Sequence, residues 1–246
     1  MKLKTSNSEV RLSLNKITKK LINNQNDRYF DREISWLSFN ERVLLQAYDK
    51  TIPYGERLRF VTISSENLDE FYMVRIAGLH QLISQGFNTV PETGMRADEL
   101  FKTVLNASRD LKNKQQRCLN YLLNEKEDCD VSILFDNKWT KNELEWLKEY
   151  YKQNILPLLT PTTLDPAHPF PFIQNKGKYV LMEMKDTKNK NINCVVLLPD
   201  NIDRFIRLPG ENQRYAMLEN LVTKFVHLIY PEYNLLKSGM FRVIRD

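Results

Sequence analysis

A run of closely spaced prolines constrains this chain more than any other feature of its sequence. Five of the ten prolines stand between positions 157 and 172, at 157, 161, 166, 169 and 171. Proline fixes its own φ angle and has no amide hydrogen, so it does not continue a helix or the centre of a sheet. The run therefore predicts an extended connector.

Helical periodicity dominates the chain before this connector. From position 36 the apolar residues recur at helical spacing, which predicts an amphipathic helix. These residues are Trp36, Phe39, Val43, Leu44 and Ala47. Ser35 is the expected N-cap, and Ser38 with Glu41 forms an alternative capping box. Pro53 and Gly55 are expected to end the helix.

The polar run from Ser64 to Asn67 predicts the start of a new helix. Ser and Asn favour caps over helix interiors because their short side chains bond to free backbone amides. Asp69 and Glu70 would then lie near the positive end of the helix dipole, where carboxylates are stabilised. The residues that follow keep a helical spacing: Leu68, Phe71, Tyr72, Arg75, Ile76 and Leu79.

The chain is predicted to be α+β overall, with an all-α helical bundle followed by an α+β domain. A long helix from Arg96 to about Lys126 completes the bundle. Beyond residue 130 the sequence predicts strands at 131–135, 178–184, 193–198, 204–208 and 240–245, and helices at 139–159 and 216–229. We therefore expect three parts: a basic leader over 1–28, a helical domain over 29–130 and an α+β domain over 131–246.

The net charge of +5 belongs to the N-terminal leader. Residues 1–30 hold seven Lys or Arg side chains against two carboxylates, and the rest of the chain is neutral. No aromatic side chain is interleaved with these charges to stack on bases, so we expect a solvated, disordered tail and no nucleic-acid partner. A weak peripheral contact with acidic lipid at the inner membrane stays open. The sequence has neither an apolar run of bilayer length nor a secretory signal, so we expect a cytoplasmic protein.

Few residues form a pattern typical of a catalytic or metal site. The cysteines, at 118, 129 and 194, are too widely separated for paired zinc ligands, and plain thiols are expected. The histidines, at 80, 168 and 227, are isolated in sequence, without a nearby nucleophile or the spacing of metal ligands, so no metal site is predicted. Asn67 is the sharpest candidate, because beside free amides it either caps a helix or binds an anion or a base edge.

Two stretches of the sequence resemble bacterial polyphosphate kinases. The first comprises Glu33–Leu44 (EISWLSFNERVL), Glu56–Phe60 and Ser64–Arg75 (SSENLDEFYMVR), and it is similar to the N-terminal helical domain of that family. The second comprises Pro157–Pro161 and Leu164–Phe172 (LDPAHPFPF), and it is similar to the opening of the family's middle, or head, domain. The resemblance covers the chain from about Tyr29 to Asp246.

The resemblance implies a function that composition and spacing do not. Polyphosphate kinases reversibly transfer the terminal phosphate of ATP to inorganic polyphosphate, through a phosphohistidine and with magnesium. In that family the Asn before Leu-Asp-Glu-Phe contacts the nucleotide's base, which makes Asn67 the expected nucleotide-binding residue. The catalytic histidine and the magnesium-linked groups lie in two C-terminal domains, so the resemblance implies no catalytic residue and no metal ligand in this chain.

The same resemblance bears on partners and on the extent of the chain. ATP or ADP and inorganic polyphosphate are the expected partners, together with a second copy of the chain bound through the head domain, to which residues 167–172 are expected to contribute. The chain ends inside the region that resembles the head domain, so we expect a partial sequence that is inactive alone. The alternative is a non-catalytic interaction or oligomerisation module.

Overall fold

A computed structural model describes residues 31–88, 95–125, 131–134, 138–165, 167, 169–188, 190–210 and 213–245. The predicted leader lies outside these residues, as do Cys129, His168 and most of the predicted loop between Gly86 and Gly94. The chain divides into two compact units between residues 125 and 126. They are called the helical unit and the α+β unit below, and each is described by itself.

The helical unit is an all-α bundle, as the sequence predicts. Its helices are α1 (Arg32–Leu45), α2 (Tyr54–Phe71), α3 (Ala77–Ser84) and α4 (Ala97–Asn124). A π-helical turn over Tyr72–Ile76 joins α2 to α3 without a break. The core contains apolar side chains of all four helices, among them Leu37, Leu44, Val61, Leu68, Phe71, Leu79, Leu100, Val104, Leu111 and Leu122.

Helix α1 begins three residues before the predicted N-cap, so the prediction of Ser35 was wrong. Asp31 is the N-cap, and its carboxylate accepts bonds from the backbone amides of Glu33 and Ile34, both at 2.9 Å. The alternative box at Ser38 was wrong too, because the Ser38 hydroxyl donates to a carbonyl inside the helix. An ionised carboxylate is a stronger acceptor for free amides than a hydroxyl, which favours the earlier start.

The buried face of α1 is rotated from the predicted stripe. Phe39, expected in the core, is 49% exposed, whereas Asn40 and Glu41 are buried beside Leu37 and Leu44. Two polar residues displace an aromatic one because each has a partner on another helix, and burial of a paired polar group costs little.

Helix α2 runs through Ser64 and Asn67 without interruption, so the predicted new helix at this point was wrong. Asn67 lies in the interior of the helix and is not a cap. The physical reason is tertiary: Ser64 is fully buried and its hydroxyl bonds to a side chain of α4, so it does not compete for backbone amides. Asp69 and Glu70 consequently lie near the end of α2, not near a positive helix start.

The π-helical turn changes which residues of this segment face the core. Leu68, Phe71, Ile76 and Leu79 are buried as predicted, but Arg75 is exposed. Phe71 and Ile76 are five residues apart, a separation that an α-helix would place on different faces and that one wider turn brings together. This extra residue in the apolar spacing is the sequence signal of the π-helical turn.

The α+β unit contains two sheets with short helices beside them. Its elements are β1 (Val131–Leu134), α5 (Lys141–Tyr150), β2 (Pro161–Leu164), β3 (Lys178–Asp186), β4 (Asn191–Leu197), β5 (Phe205–Arg207), β6 (Gln213–Met217), α6 (Leu218–Lys224) and β7 (Tyr233–Arg242). The sheet orders are β1-β6-β5 and β2-β4-β3-β7. The β1-β6 pair is parallel and every other pair is antiparallel.

The proline run behaves as predicted, because within the described residues it forms no helix beyond a single 3₁₀ turn and supplies the edge strand β2. Strand β6 was missed. Its sequence, QRYAM, has no alternation of apolar and polar residues, and it is a strand because it pairs with β1 and β5 on its two sides. The helix predicted from residue 216 begins at Leu218, and β7 begins seven residues before the predicted Met240.

None of the helices in the described parts of the chain combines the length and the apolar character that crossing a bilayer requires.

Candidate nucleotide-contact site

A buried polar network links three helices of the bundle at one level. Its centre is the backbone carbonyl of Ser64 on α2, which accepts bonds from two side-chain amides. Asn40 of α1 donates through Nδ2 at 2.9 Å, and Gln115 of α4 donates through Nε2 at 2.8 Å. The Gln115 amide also lies 2.9 Å from the Ser64 hydroxyl, to which it donates.

The members of this network are placed where water cannot replace a lost bond. Asn40 and Ser64 have no exposed surface, and Gln115 is 7% exposed. A buried amide left without partners costs about 1–3 kcal/mol, so a network of this kind specifies one packing of the helices. Helices α1, α2 and α4 are therefore held in register around Ser64.

Asn67 lies one helical turn beyond Ser64 and extends the network towards the surface. Its Nδ2 is 3.3 Å from Oδ1 of Asn40, to which it donates. Asn67 is half-buried, so one side of its amide contacts the network while the residue keeps access to solvent. Asn67 is the candidate site residue identified from the sequence, and the structure shows that Asn40 holds one side of its amide.

Ion pairs lie on the same helices as this network. Glu41 binds Lys114 at 2.5 Å, which adds a second link between α1 and α4. Glu33 accepts from Arg32 at 2.8 Å, and Nε of Arg75 lies 3.8 Å from its other oxygen. Trp36 stacks on Phe71 with the ring centroids 4.7 Å apart, which fixes α1 against the end of α2.

Sequence reasoning missed Asn40, Ser64 and Gln115 as members of a site. A signal was present in each helix, because a polar residue interrupts a buried apolar face. Asn40 stands between Leu37 and Leu44, at steps of three and four residues. Gln115 stands between Leu111 and Cys118 in the same way. An interruption on one helix is ambiguous, and only the packed bundle shows that the two polar residues meet.

A second polar cluster of the helical unit surrounds Glu125. Its carboxylate binds Arg57 at 2.8 Å, Lys50 at 2.6 Å and the hydroxyl of Tyr121 at 2.8 Å. Partial burial raises the pKa of this carboxyl, but the three hydrogen bonds outweigh that effect and lower the pKa to about 2. Arg57 also donates to the carbonyl of Ala47, so the cluster ties the start of α2 to the end of α4.

The remaining candidate groups show no reactive environment. Burial raises the pKa of both the Cys118 and the Cys194 thiols, which keeps them neutral and unreactive at physiological pH. His80 and His227 are exposed and lie against aromatic rings, with centroids 6.0 Å from Phe101 and 6.3 Å from Phe225. Within the described ranges, no three His, Cys, Asp or Glu side chains are grouped so as to hold a metal ion.

Two arginines of the α+β unit are paired with buried glutamates. Arg204 donates to the Glu219 carboxylate through two nitrogens, the shorter contact being 2.6 Å, and Arg214 donates to Glu143 at 3.2 Å. A cleft beside Leu198 contains Lys178 and Arg204 together with two aspartates, so it carries no net excess of positive charge. These arrangements stabilise the fold and do not resemble a phosphate site.

Aromatic side chains of the proline connector are turned outwards. Phe170 is 65% exposed and Phe172 is 76% exposed. The guanidinium of Arg245 lies 4.5 Å from the centroid of the Phe172 ring, a cation–π contact that orients this ring.

Comparison with known proteins assigns both units. Residues 29–134 match the family model for the polyphosphate kinase N-terminal domain, and residues 142–246 match the model for the polyphosphate kinase middle domain. A polyphosphate kinase of Erythrobacter litoralis is 40% identical over 220 residues, which are 89% of this chain and 31% of the relative. A polyphosphate kinase of Bacillus anthracis is 36% identical over 242 residues, which are 94% of this chain and 34% of that relative.

A solved structure agrees with the sequence comparisons. The crystal structure of polyphosphate kinase from Porphyromonas gingivalis matches with a TM-score of 0.77 at 27% identity, covering 89% of this chain and 33% of that one. The chain thus spans about a third of the length of the relatives it matches. Since the two family models account for nearly all of residues 29 to 246, the chain belongs to the polyphosphate kinase family.

Proposed function

We propose that this chain is the nucleotide-contacting part of a polyphosphate kinase, an enzyme that reversibly transfers the terminal phosphate of ATP to inorganic polyphosphate. Asn67 makes the contact with the base of ATP. The observation that carries the proposal is the placement of Asn67: a half-buried amide in a family-matching segment, held on one side by Asn40 at 3.3 Å. The predicted alternative, that Asn67 serves only as a helix cap, is removed because α2 continues through it.

The support beneath Asn67 favours a binding role in energetic terms. A free asparagine loses side-chain entropy when a ligand fixes it, and this loss weakens binding. Asn67 loses less, because Asn40 already holds its amide and the rigid bundle fixes its backbone. A surface asparagine that served solubility alone would need no such partner.

The chemical step is assigned to other parts of the enzyme. Phosphoryl transfer depends on several cations placed around the moving phosphate. The relatives named polyphosphate kinase are about three times as long as the matched stretch, which leaves room for those groups elsewhere. The resemblance implies magnesium, but the described residues supply no set of ligands for it, so the proposal gives magnesium no role in this chain.

The α+β unit supplies the proposed contact with a second copy of the chain. Phe170 and Phe172 are exposed aromatic side chains, and exposed apolar groups of this size are typical of surfaces that bind other proteins.

We place the protein in the cytoplasm. Cys118 and Cys194 are buried free thiols, and a reducing compartment would keep them in that form. A contact of the leader with membrane lipid concerns residues outside those described.

The proposal is tested in a chimaera that joins residues 1–246 to the remaining part of the Erythrobacter litoralis relative. We expect Asn67→Ala to raise the KM for ATP about threefold to tenfold, the effect of one lost hydrogen bond, with kcat nearly unchanged. Stability should fall by about 0.5–2 kcal/mol, because the buried Asn40 oxygen loses its donor while alanine gains from its higher helix propensity. Asn120→Ala, at an exposed position on α4, is the matched control and should leave KM unchanged.

The same proteins distinguish the proposal from a non-catalytic module. We expect the chimaera to make polyphosphate from ATP and residues 1–246 alone to make none. Synthesis by residues 1–246 alone would contradict the assignment of the chemical step to other domains. A KM for ATP that is equal in the chimaera and in its Asn67→Ala variant would contradict the role of Asn67.

A further inference from the structure

We propose that Asn40 is a positioning residue that fixes the orientation of the Asn67 amide, so that Asn67 offers an oxygen to the nucleotide. The site would then select a base that carries an amino donor, which in ATP is the 6-amino group of adenine. This inference rests on the proposed contact between Asn67 and the base and adds its direction: Asn67 accepts the hydrogen bond.

The orientation begins at the carbonyl of Ser64. A carbonyl oxygen only accepts hydrogen bonds, so the amide of Asn40 must turn its nitrogen towards it, and the two atoms lie 2.9 Å apart. Asn40 has no exposed surface, so water cannot satisfy its amide in the opposite orientation. Turned over, Asn40 would lose its bond to Ser64 and place its oxygen against the carbonyl oxygen, which disfavours that state by about tenfold.

The orientation of Asn40 determines that of Asn67. Because the Nδ2 of Asn40 donates to the Ser64 carbonyl, the Oδ1 of Asn40 faces Asn67. This oxygen accepts hydrogen bonds, so the Asn67 atom nearest to it must be a donor. The Nδ2 of Asn67 is that donor, at 3.3 Å. The two atoms of an amide point in different directions, so Oδ1 of Asn67 is the atom left for a ligand. Among the described residues, no donor is bonded to this oxygen.

An exposed acceptor selects for a donor on the base. Adenine carries one such donor group, the 6-amino group, and its other edge atoms are acceptors. Purine riboside triphosphate differs from ATP only in lacking this group. It therefore measures whether the 6-amino group is recognised, while the ribose, the phosphates and the ring system stay the same.

The test compares the affinities of the chimaera for ATP and for purine riboside triphosphate. We expect ATP to bind about threefold to tenfold more tightly, the range for one hydrogen bond. Asn40→Ala should lower this preference about twofold, chiefly by weakening ATP, because the Asn67 amide can then turn freely and offers its oxygen only about half of the time. A merely structural role for Asn40 would weaken both nucleotides equally and leave the preference intact.

Ser64→Ala is the matched control. It removes the buried hydroxyl bonded to Gln115 but keeps the backbone carbonyl that orients Asn40. We therefore expect Ser64→Ala to lower stability and to keep the full preference for ATP. Loss of the preference in this variant, but not in Asn40→Ala, would overturn the proposal.

Two outcomes separate this inference from the proposed function. If both nucleotides bind equally well to the unmodified chimaera, and Asn67→Ala weakens both, the base contact holds and the inference fails. If Asn67→Ala weakens neither, the proposed function itself fails. A neutron structure of the unmodified chain needs no variant: deuterium on Asn67 Nδ2 facing Asn40 supports the inference, and deuterium turned away from Asn40 overturns it.

Discussion

At the scale of single residues, the candidate site is built from the side-chain amides of Asn40, Asn67 and Gln115, whose partners cannot be recognised from sequence patterns. Asn67 was identified through its resemblance to a family motif, and its local pattern alone favoured a helix cap. Asn40 and Gln115 were not predictable, because a polar residue on an apolar face is read as an irregularity until its partner is known. Their partner is a backbone carbonyl on another helix, and a backbone atom leaves no trace in sequence.

The Glu125 cluster gives a prediction about pH. The native pKa of this carboxyl is about 2, below its ordinary value of 4.5, so its stabilising effect is complete above about pH 4.5 and is lost as the pH falls towards 2. The side chain is 19% exposed, so solvent screening limits the effect to about 1–2 kcal/mol. We expect Glu125→Gln to lose this amount at pH 7, and the difference from the unmodified chain to shrink steadily between pH 4.5 and 3.

Urea unfolding followed by circular dichroism at these pH values measures the difference. Glu56→Gln is the matched control, because Glu56 forms an exposed pair with Arg59 at 3.6 Å. It should change stability by less than about 0.5 kcal/mol at every pH. A loss for Glu125→Gln that is independent of pH would show that its ionisation does not hold the cluster together.

At the scale of secondary-structure elements, the existence of the helices was predictable and their starts and faces were not. Helices α1, α2 and α4 follow from apolar periodicity. The predicted break at Ser64 failed because Gln115 satisfies the serine hydroxyl from α4, so the residue most expected to cap a helix lies inside one. The sequence prediction missed strand β6 for a related reason. Pairing with β1 and β5, and not the pattern of its own side chains, makes this segment a strand.

The N-terminus of α1 gives a prediction at this scale. Asp31 accepts from two amides of the first turn, whereas Ser35 lies inside the helix. We expect Asp31→Ala to lower the free energy of unfolding by about 0.5–2 kcal/mol, as the loss of an N-cap does. Ser35→Ala should be neutral or slightly stabilising, because alanine is the better helix former. Chemical denaturation measures both, and a larger loss for Ser35→Ala would restore the cap first predicted from the sequence.

At the scale of the whole molecule, the α+β class and the change of character along the chain were predictable from composition and periodicity. The proline run separates the mainly helical part of the sequence from the part that forms most of the strands, and it supplies an edge strand, the one place in a sheet where proline is readily accommodated. The function was not predictable in this way. Family membership, which sequence similarity shows, is the basis of the proposed function, and the structure adds the bond from Asn67 to Asn40 that supports the proposed nucleotide contact.

The most direct measurement of the central claim is photolabelling of the chimaera with 8-azido-ATP. The azide sits on the base, so the label marks the residues next to it. Trypsin releases Asn67 in one peptide, Phe60–Arg75. We expect this peptide to carry label that excess ATP removes and that Asn67→Ala reduces. Label confined to residues 131–246 or to the other domains, with Phe60–Arg75 unlabelled, would contradict the placement of the nucleotide base at Asn67.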